Sequence, residues 1–172
     1  RSTQLGTLFP YTTLFRSVII AQAMNPENAN PAGNVHGGDI MKLIDTAGGV
    51  AAARHARAHV VTASIDRLDF HHPVYIGDVL TLKSSVNYVG RTSMEVGVRV
   101  EAENVITGDV RHTGSAYLTF VALDEHRRPK PLPPLILETE EDCHRNREAR
   151  QRRELRLAEK EKEKQRHKRN CD

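Results

Sequence analysis

The sequence predicts an α+β fold in which an antiparallel sheet of about five strands wraps around one long hydrophobic helix. Residues 37–58 contain a long run of apolar and small side chains with few β-branched ones, which is typical of a buried helix. Residues 60–121 instead show strand patterns, the clearest being the strict alternation of apolar and polar side chains over 93–102. Because the connections between these strands are short, the sheet is antiparallel and can bury the helix on nearly all sides.

The first segment of the chain is excluded from the predicted fold. The sequence starts at Arg1, and residues 7–17 read TLFPYTTLFRS, which looks like the translation of a sequencing-library adapter in one reading frame. We therefore treat residues 1–17 as adapter-derived and expect the natural start to be missing. The apolar run 18–21 is then the first strand, and residues 24–33, rich in Asn, Pro and Gly, form a loop.

The predicted domain extends over residues 18–134 and is followed by a charged extension at 135–172. The strands expected after the helix are 60–70, 79–88, 93–102 and 116–121. From residue 138 onward the sizeable aliphatic side chains are Leu155 and Leu157 alone, so no apolar stripe is available for packing. We expect the extension to be solvated, and either partly helical or disordered.

Composition argues against several classes of function. The net charge is +3, but residues 18–130 hold 11 Lys and Arg against 12 Asp and Glu. The pI of about 9.0 therefore arises from the ends and gives no support to nucleic-acid binding. No apolar run is close in length to a membrane span, which needs about 20 residues. Cys143 and Cys171 lie in the charged extension without zinc-binding spacing, which indicates a reduced, cytoplasmic protein.

Asp45 is the residue that packing alone explains least. It lies about two turns into the apolar helix, and Gly48, Gly49 and Ala52 continue its face. A carboxylate buried there costs several kcal/mol unless it is hydrogen-bonded or functional. The small residues would let a narrow acyl chain or thioester approach. The alternative is a core aspartate that is satisfied by backbone groups or by a subunit partner.

The residues at the start of the helix supply candidate hydrogen-bond donors. Asn34 carries an amide that could orient a water molecule or polarise a carbonyl, although an asparagine in this setting is also an ordinary turn residue. Gly37 and Gly38 lie where free backbone N–H groups and the positive end of the helix dipole favour an oxyanion. Asp39 could cap the same end of the helix.

Other catalytic patterns are weak or missing from the sequence. It has no GxSxG elbow, no GxGxxG and no P-loop. His55 and His59 have the spacing of a metal-binding pair, but without HExxH they are better explained as cations that complement the helix dipole. His71 and His72 are adjacent, so in a strand they face opposite sides.

Six motifs in order give the chain a strong resemblance to the acyl-CoA thioesterases of the hotdog superfamily. The branch is the one that includes brain-type cytosolic acyl-CoA hydrolase and its bacterial relatives. The motifs are GNVHGG at 33–38, MKLID at 41–45, VVTASID at 60–66, DFHHPVYIGD at 69–78, GRTSMEV at 90–96 and YLTFVALDE at 117–125. The resemblance covers about residues 24–142. The chain departs from it at Thr46, where the family usually has Glu.

The resemblance implies a hotdog fold that hydrolyses acyl-CoA to free fatty acid and CoA, with no metal and no cofactor beyond the CoA of the substrate. It also implies a homodimer, usually assembled into a hexamer as a trimer of dimers. Each site would pair Asn34 of one subunit with Asp45 of the other. Asp45 would act as general base or nucleophile, Asn34 would orient the water or the carbonyl, and the amides of Gly37 and Gly38 would steady the oxyanion.

A second set of expected contacts, Arg91, Thr92 and Ser93, would bind the phosphates or pantetheine of CoA; the alternative for GRTS is an ordinary hairpin turn. Two other functions stay open. A non-enzymatic acyl-CoA-sensing module would need a helix-turn-helix segment, and a dehydratase or hydratase would need a catalytic histidine paired with an acid on the helix.

Overall fold

The structure of the protein is a computed structural model, and it describes residues 17–169. The adapter-derived segment, apart from Ser17, and Cys171 lie outside the described residues. In chain order the elements are β1 (Ser17–Ala23), a 3-10 turn (Pro26–Asn28), α1 (Gly37–Ala56), β2 (His59–Phe70), β3 (Val79–Val89), β4 (Ser93–Glu103), β5 (Val110–Leu123) and α2 (Glu140–Arg169).

The sheet has five strands in the order β1-β3-β4-β5-β2, and every neighbouring pair is antiparallel. The predicted fold class is therefore confirmed. The strict alternation in β4 places one set of side chains on the inner side of the sheet, and all of them are buried: Met94, Val96, Val98, Val100 and Ala102. Since β1 and β2 occupy the two ends of the order, each has one strand edge that no strand within residues 17–169 pairs with.

Helix α1 lies against the inner side of the sheet and contacts all five strands. The prediction that the sheet buries this helix on nearly all sides is wrong. One face is buried, with Ile40, Ile44, Ala47, Gly48, Ala51, Ala52 and Ala56. The other face is exposed and carries Gly38, Met41, Lys42, Asp45 and Thr46. A five-stranded sheet that ends at β2 cannot reach around the helix, so within one chain this face stays open.

Gly48 of α1 serves the packing of the helix against the sheet. A Cβ at Gly48 would lie 3.1 Å from the Phe120 ring and 3.6 Å from Val98. The missing side chain thus lets the helix approach the sheet closely. The sequence predicted that the small residues following Asp45 let a thioester approach the helix. At Gly48 the space is instead occupied by the Phe120 ring of the sheet.

Helix α2 lies on the outer side of the sheet, and its first half is packed rather than solvated. Asp142, Asn146 and Ala149 are buried. The residues that receive the helix alternate along their strands with the side chains that face α1, so the two helices lie on opposite sides of the sheet. Among the described residues, neither helix is long and apolar enough to cross a membrane.

The contacts that hold α2 are polar. Arg152 Nη2 donates a 2.8 Å hydrogen bond to Glu95 Oε1, and its guanidinium lies 3.7 Å from the centroid of the Tyr117 ring. Arg156 forms an ion pair with Asp66 of β2. The Glu95 side chain is fully buried. Burial raises the pKa of this carboxyl, while the hydrogen bond and charge of Arg152 oppose the change. The extension thus docks through ion pairs instead of an apolar stripe.

Candidate active site

Asp45 lies on the open face of α1, beside the edge strand β2. Thr62 Oγ1 of β2 donates a 2.5 Å hydrogen bond to Asp45 Oδ1. Thr62 is paired in register with Phe120, whose ring packs against α1, so the hydroxyl points to the helix side of the sheet. The hydroxyl fixes one oxygen of the carboxylate. In the single chain Asp45 is exposed, which corrects the expectation that the helix buries it.

Four apolar side chains are exposed on α1 and along the edge strand β2. The exposed fractions are 43% for Met41, 46% for Val61, 41% for Ile65 and 47% for Phe70. We refer to these four residues as the edge patch. Exposed apolar side chains along a strand edge that has no partner among the described residues are typical of a surface that another chain covers.

The segment before α1, residues 30–35, is a compact loop that we call the asparagine loop. Asn30 Oδ1 accepts hydrogen bonds from the backbone N–H groups of Ala32 at 2.9 Å and Asn34 at 3.2 Å. The Asn30 N–H in turn donates to Asn34 O at 2.7 Å. Both asparagines are half-buried. The side-chain carbonyl of Asn30 shapes the loop through its two hydrogen bonds. The Nδ2 group of the same side chain takes part in neither of them.

The start of α1 is capped by a residue that was not predicted to do so. The N-cap is His36, whose Nδ1 accepts a 3.0 Å hydrogen bond from the Gly38 N–H. Asp39, the expected cap, instead accepts a 3.1 Å hydrogen bond from Asn28 Nδ2. Because the Gly38 amide already donates to His36, its predicted oxyanion role requires this ring to move aside. The amide of Gly37, the first helical residue, is the simpler donor.

The GRTS motif lies at the other end of α1. Residues 90–92 form the tight turn between β3 and β4, closed by the Gly90 N–H donating to Ser93 O at 2.8 Å. Arg91 O accepts from Leu132 N at 2.9 Å, in the segment whose Pro133 contacts the last turn of α1. The 20 residues of α1 span about 30 Å. Within one chain Arg91, Thr92 and Ser93 are therefore far from the asparagine loop, and their CoA-binding role stays a prediction.

His55 makes a structural contact at this same end of the helix. Its Nε2 lies 3.1 Å from Pro133 O. Burial lowers the pKa of the imidazole, and the hydrogen bond to Pro133 acts in the opposite direction. In the part of the chain that the structure describes, no group of three His, Cys, Asp or Glu side chains could hold a metal ion.

Two functional candidates were missed by sequence reasoning. Thr62 gave no signal, since a threonine in a strand is ordinary; only the register of β2 against α1 brings it to Asp45. Asn30 was overlooked because Asn-Pro is a common turn sequence. The clustering of three asparagines over residues 25–30 could have drawn attention to this loop.

Comparisons of the chain with a family profile, with related sequences and with solved structures agree with one another. The profile of the thioesterase superfamily matches residues 32–108. A Bacillus subtilis protein named as an uncharacterized acyl-CoA thioester hydrolase, YkhA, is 39% identical over 135 residues, covering 78% of this chain and 78% of that protein. The crystal structure of an apo-hexameric acyl-CoA thioesterase shares 38% identity with a TM-score of 0.83, covering 87% of this chain and 96% of that one.

A third relative is an acyl-CoA hydrolase from Staphylococcus aureus, solved in complex with butyryl-CoA, CoA and CoA disulfide. It shares 33% identity with a TM-score of 0.82, covering 91% of this chain and 95% of that one. Variants of this enzyme were solved in which one asparagine, one aspartate or one threonine is replaced by alanine. The sequence numbers of the three residues differ by 15 and by 17.

Proposed function

The chain belongs to the thioesterase superfamily, and on that premise we propose that it is an acyl-CoA thioesterase, which hydrolyses acyl-CoA to a free fatty acid and CoA. The observation that carries the proposal is the Asp45–Thr62 hydrogen bond at an uncovered edge patch. The relatives described above support the substrate class, because they are named as acyl-CoA thioester hydrolases and one was solved with butyryl-CoA.

The chemistry assigned to Asp45 is that of a base or a nucleophile. As a base, the carboxylate takes a proton from water while the water oxygen attacks the thioester carbonyl. The tetrahedral intermediate then collapses, the C–S bond breaks, and CoA leaves as a thiolate that takes up a proton. As a nucleophile, the carboxylate itself attacks the thioester carbonyl, the C–S bond breaks, and CoA leaves as a thiolate that takes up a proton. Water then hydrolyses the resulting anhydride, which releases the fatty acid and restores the carboxylate. In both cases the Thr62 hydroxyl donates its hydrogen bond to Oδ1 of Asp45, which leaves Oδ2 to act as the base or the nucleophile.

The amide that orients the carbonyl comes, in our proposal, from the asparagine loop. The sequence numbers of Asn30, Asp45 and Thr62 differ by 15 and by 17, as do those of the three residues replaced in the Staphylococcus aureus enzyme. This spacing favours Asn30 over Asn34. The role of Asn34 expected from the GNVHGG resemblance stays a prediction, and the two asparagines are compared directly in the experiment below.

We assign the site to two subunits. Asp45 lies eight residues after the start of α1, about 12 Å along its axis from the end that bears the asparagine loop. A second copy of the chain that covers the edge patch would bring its own asparagine loop to Asp45. The symmetric pairing creates two identical sites for each dimer. Assembly of three such dimers into a hexamer, a cytoplasmic location and the absence of a cofactor complete the proposal.

The test is hydrolysis of a panel of acyl-CoA chain lengths with free-thiol detection, using the full chain and two matched variants. Asn30→Asp keeps the Oδ1 acceptor that shapes the loop but removes the Nδ2 donor; Asn34→Asp makes the same change four residues on. We expect Asn30→Asp to lower kcat by about 100-fold or more, the usual cost of one transition-state donor, and Asn34→Asp to lower it by less than about tenfold.

The outcomes separate the hypotheses. The reverse ranking would return the role to Asn34. Tight binding of acyl-CoA without hydrolysis at any chain length would contradict the thioesterase proposal and favour the acyl-CoA-sensing module.

A further inference from the structure

The turn between β2 and β3 contains a buried carboxylate that the proposed chemistry does not use. The Asp78 side chain is 3% exposed. Its Oδ2 accepts a 3.0 Å hydrogen bond from the Tyr75 backbone N–H and a 2.6 Å one from Arg111 Nη2 of β5. The Arg111 guanidinium also lies 5.0 Å from the centroid of the Tyr75 ring. Together these contacts hold both the backbone and the ring of Tyr75.

This turn is joined to the asparagine loop by backbone hydrogen bonds. The Val35 N–H donates to Val74 O at 2.9 Å. The next pair, Asn34 and Tyr75, forms an isolated antiparallel bridge. Asn34 O in turn accepts the N–H of Asn30 at 2.7 Å. A displacement of Tyr75 is therefore passed directly to both asparagines.

The ion pair between Asp78 and Arg111 is better explained by a role in positioning its neighbours than by a contribution to the free energy of unfolding. A buried ion pair contributes little net stability compared with apolar side chains of similar size, because desolvation offsets the attraction. Its hydrogen bonds are directional, so it specifies one arrangement of the groups that it joins. Arg111 Nε is buried and has no hydrogen-bond partner among the described residues, so the guanidinium is directed at Asp78 rather than held by a surrounding network.

We propose that Asp78 and Arg111 are positioning residues, which fix the asparagine loop for acyl-CoA hydrolysis through Tyr75. The inference rests on the proposed function, since the loop matters only if it supplies the amide to the thioester. Neither side chain acts on substrate. A misplacement of a reacting group by about 1 Å can lower the rate by about 100-fold, so a small shift of the loop is enough.

The experiment compares Arg111→Met, Arg111→Lys and the control Arg99→Met in the full chain. Arg99 is also a strand arginine in an ion pair, with Glu101 at 2.7 Å, but that pair is exposed on β4. We expect Arg111→Met to lower kcat by about 10- to 100-fold with KM changed by less than about threefold. Arg111→Lys keeps the charge and a donor for Asp78, so it recovers most of the loss, and Arg99→Met behaves as wild type.

Hydrogen exchange gives a readout that does not depend on activity. In Arg111→Met the backbone amides of Val35 and Tyr75 should exchange at least about tenfold faster than in wild type, while those of β4 should not change. A folded Arg111→Met protein with wild-type kcat, or with reduced kcat and unchanged exchange at Val35, contradicts the proposal. If the wild type hydrolyses no acyl-CoA, the proposed function fails, and the exchange result still decides whether the ion pair fixes the loop.

Discussion

Replacement of Asp45 by asparagine is expected to lower kcat by a factor of about 10³ or more in the hydrolysis of acyl-CoA. Asparagine keeps the shape of the side chain and can still accept the Thr62 hydrogen bond, so the active-site geometry is preserved. It cannot take a proton from water or form an acyl anhydride, which removes the base or nucleophile that supplies this rate. The measurement is kcat and KM by free-thiol detection on the chain length that the wild type prefers.

A matched control lies in the same helix. Asp39→Asn makes the identical change six residues earlier, where the side chain accepts a 3.1 Å hydrogen bond from Asn28 Nδ2. We expect this variant to retain wild-type kcat. Since Asp45 is exposed in the single chain, its replacement should change the free energy of unfolding by only about 0.5 kcal/mol. If Asp45→Asn keeps more than about a tenth of the activity, its assigned role is wrong.

The second large effect is expected at the edge patch. Ile65→Glu places a charge among apolar side chains that a second subunit would cover, and an unpaired charge buried in an interface costs several kcal/mol. Because about 1.4 kcal/mol corresponds to a tenfold change in an equilibrium constant, the dissociation constant of the proposed dimer should rise by about 100-fold or more. In the proposed composite site a monomer lacks one of the two groups, so we expect hydrolysis to fall by about 100-fold or more.

The control is the same substitution at a more exposed isoleucine. Ile106, on the hairpin between β4 and β5, is 90% exposed and lies outside the edge patch. Light scattering on a size-exclusion column gives the mass of each variant, circular dichroism shows whether it is folded, and the thiol assay gives its activity. We expect Ile106→Glu to remain active. A folded Ile65→Glu monomer with wild-type kcat would show that one subunit is sufficient.

Much of the fold follows from periodicity. The alternation in β4 reports which side of the strand is buried, and the long apolar run predicts the helix α1. The structure confirms both elements, although the sheet buries only one face of α1. The docking of α2 could not be predicted in the same way, because Arg152 and Arg156 pair with acids on distant strands. A charged side chain that forms a buried ion pair and one that points to solvent look alike in the sequence.

The sequence predicted Asp45 as part of the candidate site, but the structure does not support the reason for which it was chosen. Asp45 attracted attention as a buried charge, yet in the single chain it is exposed beside Thr62. The apolar run of α1 predicted burial all round the helix, whereas the sheet of this chain buries one face and leaves the face that bears Asp45 open. A single sequence does not distinguish burial by its own chain from burial by a second copy, so Thr62 and the edge patch emerge only from the fold.

The composite site is tested most directly by mixing two inactive variants. Asp45→Asn and Asn30→Asp subunits, co-refolded in equal amounts, should form mixed dimers in half of the cases, and each mixed dimer has one site with both groups intact. About a quarter of the wild-type activity should therefore return. If Asn30 and Asp45 act within one subunit, no site is ever intact and the mixture stays as inactive as its components, which would contradict the account.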